Sequence, residues 1–121
     1  MRLIKKGGLN MTRQITHEAI RAFYSMQNYK KSNTQVKDNA LYLFNNKIAW
    51  HDNGRIYISM CGWNSCTTRE RLNGLIGVSI CSRNYTPYDF KTKREIDPNA
   101  VYVVTNDGLK EVKDKSSLYF V

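Results

Sequence analysis

The fold is decided by residues 40–60, ALYLFNNKIAWHDNGRIYISM, in which apolar and polar side chains alternate between groups of turn-forming residues. Alternation with a period of two is typical of a strand with one buried face. The pair Asn45-Asn46 tolerates the positive φ that a two-residue hairpin loop requires. The stretch therefore predicts a meander of three antiparallel strands, with the first turn at this pair.

The second turn falls at residues 52–54, Asp-Asn-Gly, and can close in two ways. A two-residue Asn-Gly loop would place Trp50 opposite Tyr57 and mix apolar with polar side chains on one face. A three-residue loop with glycine at the left-handed position pairs Trp50 with Ile56 instead. We therefore expect the three-residue loop.

This register divides the side chains of the meander between two faces. The expected core face holds Leu41, Leu43, Ile48, Trp50, Ile56, Ile58 and Met60. The opposite face holds Tyr42, Phe44, Lys47, Ala49, His51, Arg55, Tyr57 and Ser59. Rings stack on unpaired bases and cations hold phosphates, so this second face predicts a surface for single-stranded nucleic acid. The alternative is that these aromatic residues are good strand formers and that a helix covers them.

Charge and composition restrict the class of protein. The 121 residues carry a net charge of +9, which attracts polyanions, although a solvated basic surface without function is the alternative. The length suits a single domain. No apolar run approaches membrane-spanning length, so we expect no membrane contact. Three cysteines without a CxxC pattern predict free thiols in a reducing compartment, and hence a cytoplasmic protein.

Motifs for metal binding and catalysis are weak in this sequence. Cys61 and Cys66 are separated by four residues, at the long limit for structural zinc, and neither His17 nor His51 belongs to a paired motif. There is no phosphate-binding glycine loop and no nucleophile elbow. We therefore expect no metal, no cofactor and no enzymatic activity. A cysteine nucleophile would need a histidine brought to it by the fold.

The flanking sequence predicts the remaining elements. Apolar residues at helical spacing indicate a helix from Thr16, as N-cap, to about Tyr29. A polar connector follows it. A short central helix should begin at Thr67, whose spacing to Glu70 is that of a capping box. Strands are expected at residues 78–82, 100–104, 109–112 and 118–121, with a loop-rich stretch at 85–99. The predicted class is α+β: a mainly antiparallel sheet, made of the meander and C-terminal strands, packed with one N-terminal helix and one short central helix.

Residues 1–10 are open to two interpretations. Codons for Lys6-Gly7-Gly8 can contain a purine-rich ribosome-binding sequence, which would make Met11 the natural start. Alternatively these residues are a flexible tail of a chain that starts at Met1. In both cases we expect one domain over residues 11–121.

The segment GWNSCTTRERLN, residues 62–73, resembles a block in small, mostly uncharacterised proteins of tailed bacteriophages and prophages. The preceding LFNNKIAWHDNGRIYIS, residues 43–59, is similar to the part that goes before it there. The resemblance implies a phage origin and supplies no catalytic residues. It leads us to expect a non-enzymatic accessory or host-takeover factor that binds a host protein or nucleoprotein, for example an anti-CRISPR-like inhibitor of host defence. Direct nucleic-acid binding is the alternative.

A protein partner would need its own contact surface. Trp63, in the loop before the central helix, and Arg69 and Arg71 on that helix are the residue types that anchor interfaces. We expect the two arginines to be exposed. The sequence indicates neither the identity of the partner nor the oligomeric state.

Overall fold

The computed structural model describes residues 11–113, which form two helices and ten strands. In chain order these are α1 (Met11–Ser25), β1 (Tyr29–Lys31), β2 (Thr34–Lys37), β3 (Ala40–Leu43), β4 (Asn46–Asp52), β5 (Arg55–Ser59), α2 (Cys66–Leu72), β6 (Ile80–Arg83), β7 (Thr86–Asp89), β8 (Arg94–Glu95), β9 (Val101–Thr105) and β10 (Gly108–Glu111). The predicted α+β class, with an N-terminal and a central helix, is confirmed. The strand expected at residues 118–121 and the segment 1–10 lie outside the described residues.

The strands form two antiparallel sheets. The larger has seven strands in the order β10-β9-β5-β4-β3-β2-β1, and the smaller has three in the order β6-β7-β8. Most neighbours in the larger sheet are consecutive along the chain, as hairpin connections favour. The exception is β9, which returns after α2 and the small sheet to pair with β5. The predicted meander, β3 to β5, therefore lies in the middle of the larger sheet.

The first hairpin of the meander turns one residue earlier than predicted. Phe44 and Asn45 form the loop, with φ of 50° and 67°. A register shift follows in β4, where Ile48 is the extra residue of a β-bulge. Ile48 and Ala49 are consequently both buried, at 1 % and 0 % exposure. The bulge reverses the alternation beyond it, so the predicted position of Trp50 in the core is wrong.

The second hairpin closes with the two-residue loop that we did not expect. Asn53 and Gly54 form this loop with φ of 53° and 76°, as a type I′ turn requires. Trp50 therefore lies opposite Tyr57, and the predicted pairing of Trp50 with Ile56 is wrong. We expected this register to be unfavourable because it pairs Trp50, a predicted core residue, with Tyr57. It is compatible with the core because the bulge has already moved Trp50 away from it.

Both helices pack on one face of the larger sheet, which we call the inner face. α1 contacts β1, β2, β3 and α2, while α2 contacts β4 and β6. The side chain of Phe23 on α1 and that of Leu72 on α2 are fully buried against sheet residues such as Leu41 and Ile58. Burial of such side chains is the main stabilising contribution to the fold.

The small sheet is joined to the larger one through a buried carboxylate. Asp89, at the end of β7, is 1 % exposed. Its Oδ2 accepts hydrogen bonds from the backbone N–H of Leu109 at 2.9 Å and from Thr92 Oγ1 at 3.0 Å. Gly108 approaches closely with φ of +117°, and a Cβ there would lie 2.9 Å from the same oxygen. This contact orders the start of β10.

Several predicted boundaries are wrong. α1 begins at Met11 and ends at Ser25, and the expected polar connector contains strand β1. α2 is capped by Ser65, whose Oγ accepts from the N–H of Thr68 at 3.1 Å, rather than by Thr67. The stretch expected to be loop contains β7 and β8. Short polar strands lack the alternation from which strands are predicted, because pairing with neighbours rather than burial defines them.

Candidate functional site

The face of the larger sheet opposite the helices, which we call the outer face, carries two rows of cross-strand neighbours. Cross-strand neighbours project to the same side of a sheet. The long row crosses six strands and consists of Lys37, Ala40, Trp50, Tyr57, Val103 and Lys110. The short row crosses β1 to β4 and consists of Lys30, Gln35, Tyr42 and Lys47. The outer face is therefore a set of aromatic rings flanked by cations.

The rings and cations of the outer face are in contact. Trp50 and Tyr57 lie nearly parallel, with ring centroids 5.9 Å apart and an interplanar angle of 12°. Lys47 Nζ is 4.9 Å from the centroid of Trp50, and Lys37 Nζ is 5.4 Å from that of Tyr42. Cation–π attraction holds each ammonium beside a ring. Tyr57 is buried beneath its neighbours, whereas Trp50 and Tyr42 are half-buried and present ring surface to solvent.

The charge of the outer face is one-sided. Its cations are Lys30, Lys37, Lys47, Arg55 and Lys110, all exposed. Within the described strands, one acidic residue lies on this face, namely Asp52, the cross-strand partner of Arg55. None of the five cations forms an ion pair with another residue of the described range 11–113. Their charge is therefore available to an anionic ligand.

The structure places four predicted site residues together on the outer face. These are Tyr42, Lys47, Arg55 and Tyr57. Their role in binding stays a prediction. Trp50 was not predicted to lie on this face, because the bulge at Ile48 shifts the alternation.

His51 lies on the inner face, and its predicted outward position is wrong. Its Nε2 is 2.9 Å from the backbone oxygen of Phe23, and the two rings stack with centroids 4.1 Å apart. Ala49 is also buried on the inner side. These two residues therefore belong to the packing of α1 against the sheet.

Phe44 and Trp63 lie beside a separate hollow at one end of the sheet. Each has 64 % of its surface exposed. The hollow has a volume of about 410 Å³, and its lining includes Leu43, Ile48 and Met60. This hollow is a mainly apolar concave surface beside the predicted protein-contact loop.

Arg71 does not belong to any exposed surface, and its predicted exposure is wrong. The side chain is 1 % exposed. It donates from Nε to Thr34 Oγ1 at 2.9 Å and from Nη1 to Thr16 Oγ1 at 2.7 Å, so it joins α2 to β2 and α1. Burial lowers the pKa of Arg71 from its ordinary value, and the charge of nearby Glu70 partly opposes that change.

Arg69 is half-buried and is bound to its own loop. Its Nη1 donates to Asn64 Oδ1, and its Nη2 lies 3.4 Å from Cys66 Sγ. The guanidinium therefore fixes the segment that follows Trp63. The expected pair of exposed arginines on α2 does not exist.

The described residues bring no metal-binding group together. Cys61, Cys66 and Cys81 are free thiols. Between residues 11 and 113, no three His, Cys, Asp or Glu side chains are close enough to hold a metal ion. Over the same range, neither helix has the length and apolar character needed to cross a membrane.

Fold and site together define an α+β protein whose antiparallel sheet is covered by helices on one face and carries an aromatic, basic surface on the other. A family model described as Kyanoviridae Gp96 protein matches residues 12–106, more than half of the chain. The chain therefore belongs to this family of bacteriophage proteins, and the phage origin that the sequence resemblance implies is confirmed. No curated protein and no solved structure matches it.

Proposed function

We propose that this phage protein binds single-stranded nucleic acid on the outer face and acts by binding rather than by catalysis. The observation that carries the proposal is the long row, in which the Trp50–Tyr57 pair lies between Lys37 and Lys110. Rings for bases and unpaired cations for phosphates are the two components of sequence-tolerant single-strand binding.

The geometry of the row suits several nucleotides of an extended strand. Neighbouring strands are about 4.8 Å apart, so the five intervals from β2 to β10 separate Lys37 from Lys110 by roughly 24 Å. Sites of about 4 to 16 nucleotides are usual for sheet surfaces that bind single strands. In this arrangement the phosphates follow the cations while a base stacks on Trp50.

A double helix would use this face poorly. The bases of a duplex are stacked inside it, and half-buried rings on a sheet cannot reach them. Only the cations would then contribute, through contacts to phosphates. The half-exposed rings of Tyr42 and Trp50 therefore favour an unpaired strand as the ligand.

The proposal is tested by the salt dependence of binding to a fluorescent single-stranded oligonucleotide, measured by anisotropy between about 50 and about 200 mM NaCl. If roughly three to five of the five cations contact phosphates, log K should fall with log salt at a slope of about −2 to −3.5. The duplex of the same sequence should bind more weakly. No binding at the lowest salt, or affinity independent of salt, would refute the proposal.

The hollow beside Trp63 supports a second candidate function. We propose, as the alternative, that the protein is a host-takeover factor that docks this hollow on a host protein or nucleoprotein, with an anti-CRISPR-like inhibitor as the concrete version. Exposed aromatic residues around a concave apolar surface are typical of interface centres. Phe44 and Trp63 supply such residues. Under this alternative, the host partner contacts Trp63 and not Trp50.

A further inference from the structure

A second cavity, of about 560 Å³, opens at the end of the outer face near the loops β1–β2 and β3–β4. It is distinct from the apolar hollow, although Phe44 lines both. Its walls differ in chemistry from those of the hollow. Besides the rings of Tyr42 and Phe44, they include the side-chain amides of Asn33, Gln35 and Asn45, the cation of Lys30 and two residues with hydroxyl groups.

Two rings line this cavity. Tyr42 belongs to the short row of the outer face, and Phe44 lies in the hairpin loop with 64 % of its surface exposed. Phe44 adopts a φ of +50°, which is costly for a bulky residue and cheap for glycine or asparagine. An exposed phenylalanine at this position does not contribute to the core. The ring of Phe44 instead presents a flat apolar surface to a molecule that enters the cavity.

The amides of the cavity have unused hydrogen-bonding capacity. Neither Gln35 nor Asn45 forms a side-chain hydrogen bond with any residue in the range 11–113. Asn33 accepts at Oδ1 from Thr34 Oγ1 at 2.8 Å, which leaves its amide nitrogen as a donor. A carboxamide offers one donor beside one acceptor, and this pair matches the edge of an unpaired base.

We propose that this cavity holds one unpaired adenine of the bound strand and gives the outer face a base preference. The inference rests on the proposed single-strand binding. The base stacks on Tyr42 and Phe44, the amides of Gln35 and Asn45 pair with its edge, and Lys30 holds the adjacent phosphate. Adenine is the base for which Asn and Gln provide the matching bidentate pair.

The test compares an oligo(dT) of about 12 nucleotides with the same oligonucleotide carrying a single central adenine. The natural protein should bind the adenine-containing strand roughly tenfold more tightly, as expected for one bidentate contact. Gln35→Ala with Asn45→Gly should bind both strands equally, and its salt slope should match that of the natural protein because neither substitution changes a charge. Glycine is chosen at position 45 because the native φ is +67°.

The outcomes separate the two proposals. Binding of oligo(dT) without preference for the adenine strand, or a preference that survives in the double variant, would overturn the adenine pocket and leave the outer face as a general single-strand surface. Absence of binding to every oligonucleotide would overturn the single-strand proposal itself. Asn28→Ala, an exposed amide that does not line the cavity, is the matched control and should retain the preference.

Discussion

Reversing two charges on the outer face, in the variant Lys37→Glu with Lys47→Glu, should weaken binding to a single-stranded oligonucleotide by on the order of 100-fold at low salt. The two ammonium groups lie beside Tyr42 and Trp50, the rings of the outer face that are proposed to contact bases. Each substitution removes one attraction to phosphate and adds one repulsion. Both residues are exposed, so the fold should survive, as a circular-dichroism melt can check.

A control variant with the same change in net charge tests whether the position of the charges, rather than their number, determines the loss of affinity. Arg13→Glu with Arg21→Glu alters two exposed residues of α1, on the opposite side of the larger sheet. This variant should lose much less affinity, through long-range electrostatics alone. Equal losses in the two variants would mean that net charge rather than the outer face governs binding.

Replacing Arg71 with alanine should lower the free energy of unfolding by about 3 kcal/mol. The guanidinium is buried and bridges α2 to Thr16 on α1 and to Thr34 on β2. Alanine would leave a cavity and two buried hydroxyl groups that have lost a donor. Urea denaturation followed by circular dichroism measures the change.

Conservative variants show whether the bridging geometry of Arg71 matters. Arg71→Lys keeps a positive charge but cannot donate along the same two directions, so it should also destabilise the protein, by less than alanine does. A loss below about 1 kcal/mol in the alanine variant would contradict the assigned bridge, because removal of a buried, hydrogen-bonded charged group normally costs more.

The α+β class could be predicted because turn residues and apolar periodicity are local signals. Residues 40–60 indicated three strands, and the structure contains them as β3 to β5. The register was not predictable by the same means. A bulge at Ile48 changes no residue type, yet it moves every later side chain of β4 to the other face. For the second hairpin, the Asn53-Gly54 pair, which favours a two-residue turn, was a better predictor than the alternation of apolar and polar residues.

The basic, aromatic character of one sheet face was predictable, whereas the full set of residues that form this face was not. Tyr42, Lys47 and Arg55 keep their predicted positions. The cation contributed by β10 joins this face only because β9, its hairpin partner, pairs with β5, which is distant in sequence. The cation contributed by β1 was missed because the short polar strand was expected to be a connector. Arg71 was misassigned because arginine is rarely buried, and the hydroxyl groups of Thr16 and Thr34 that it contacts come from elements far along the chain.

The most direct test of the outer-face proposal uses the two tryptophans of the chain as site reporters. Trp50 lies on the outer face and Trp63 beside the apolar hollow. Each indole N–H gives one signal in a proton–nitrogen NMR spectrum, and Trp63→Phe assigns them. During titration with a single-stranded oligonucleotide, the Trp50 signal should shift or broaden progressively while the Trp63 signal stays in place. A titration in which the oligonucleotide binds and Trp50 does not respond, or in which Trp63 alone responds, would contradict single-strand binding on the outer face.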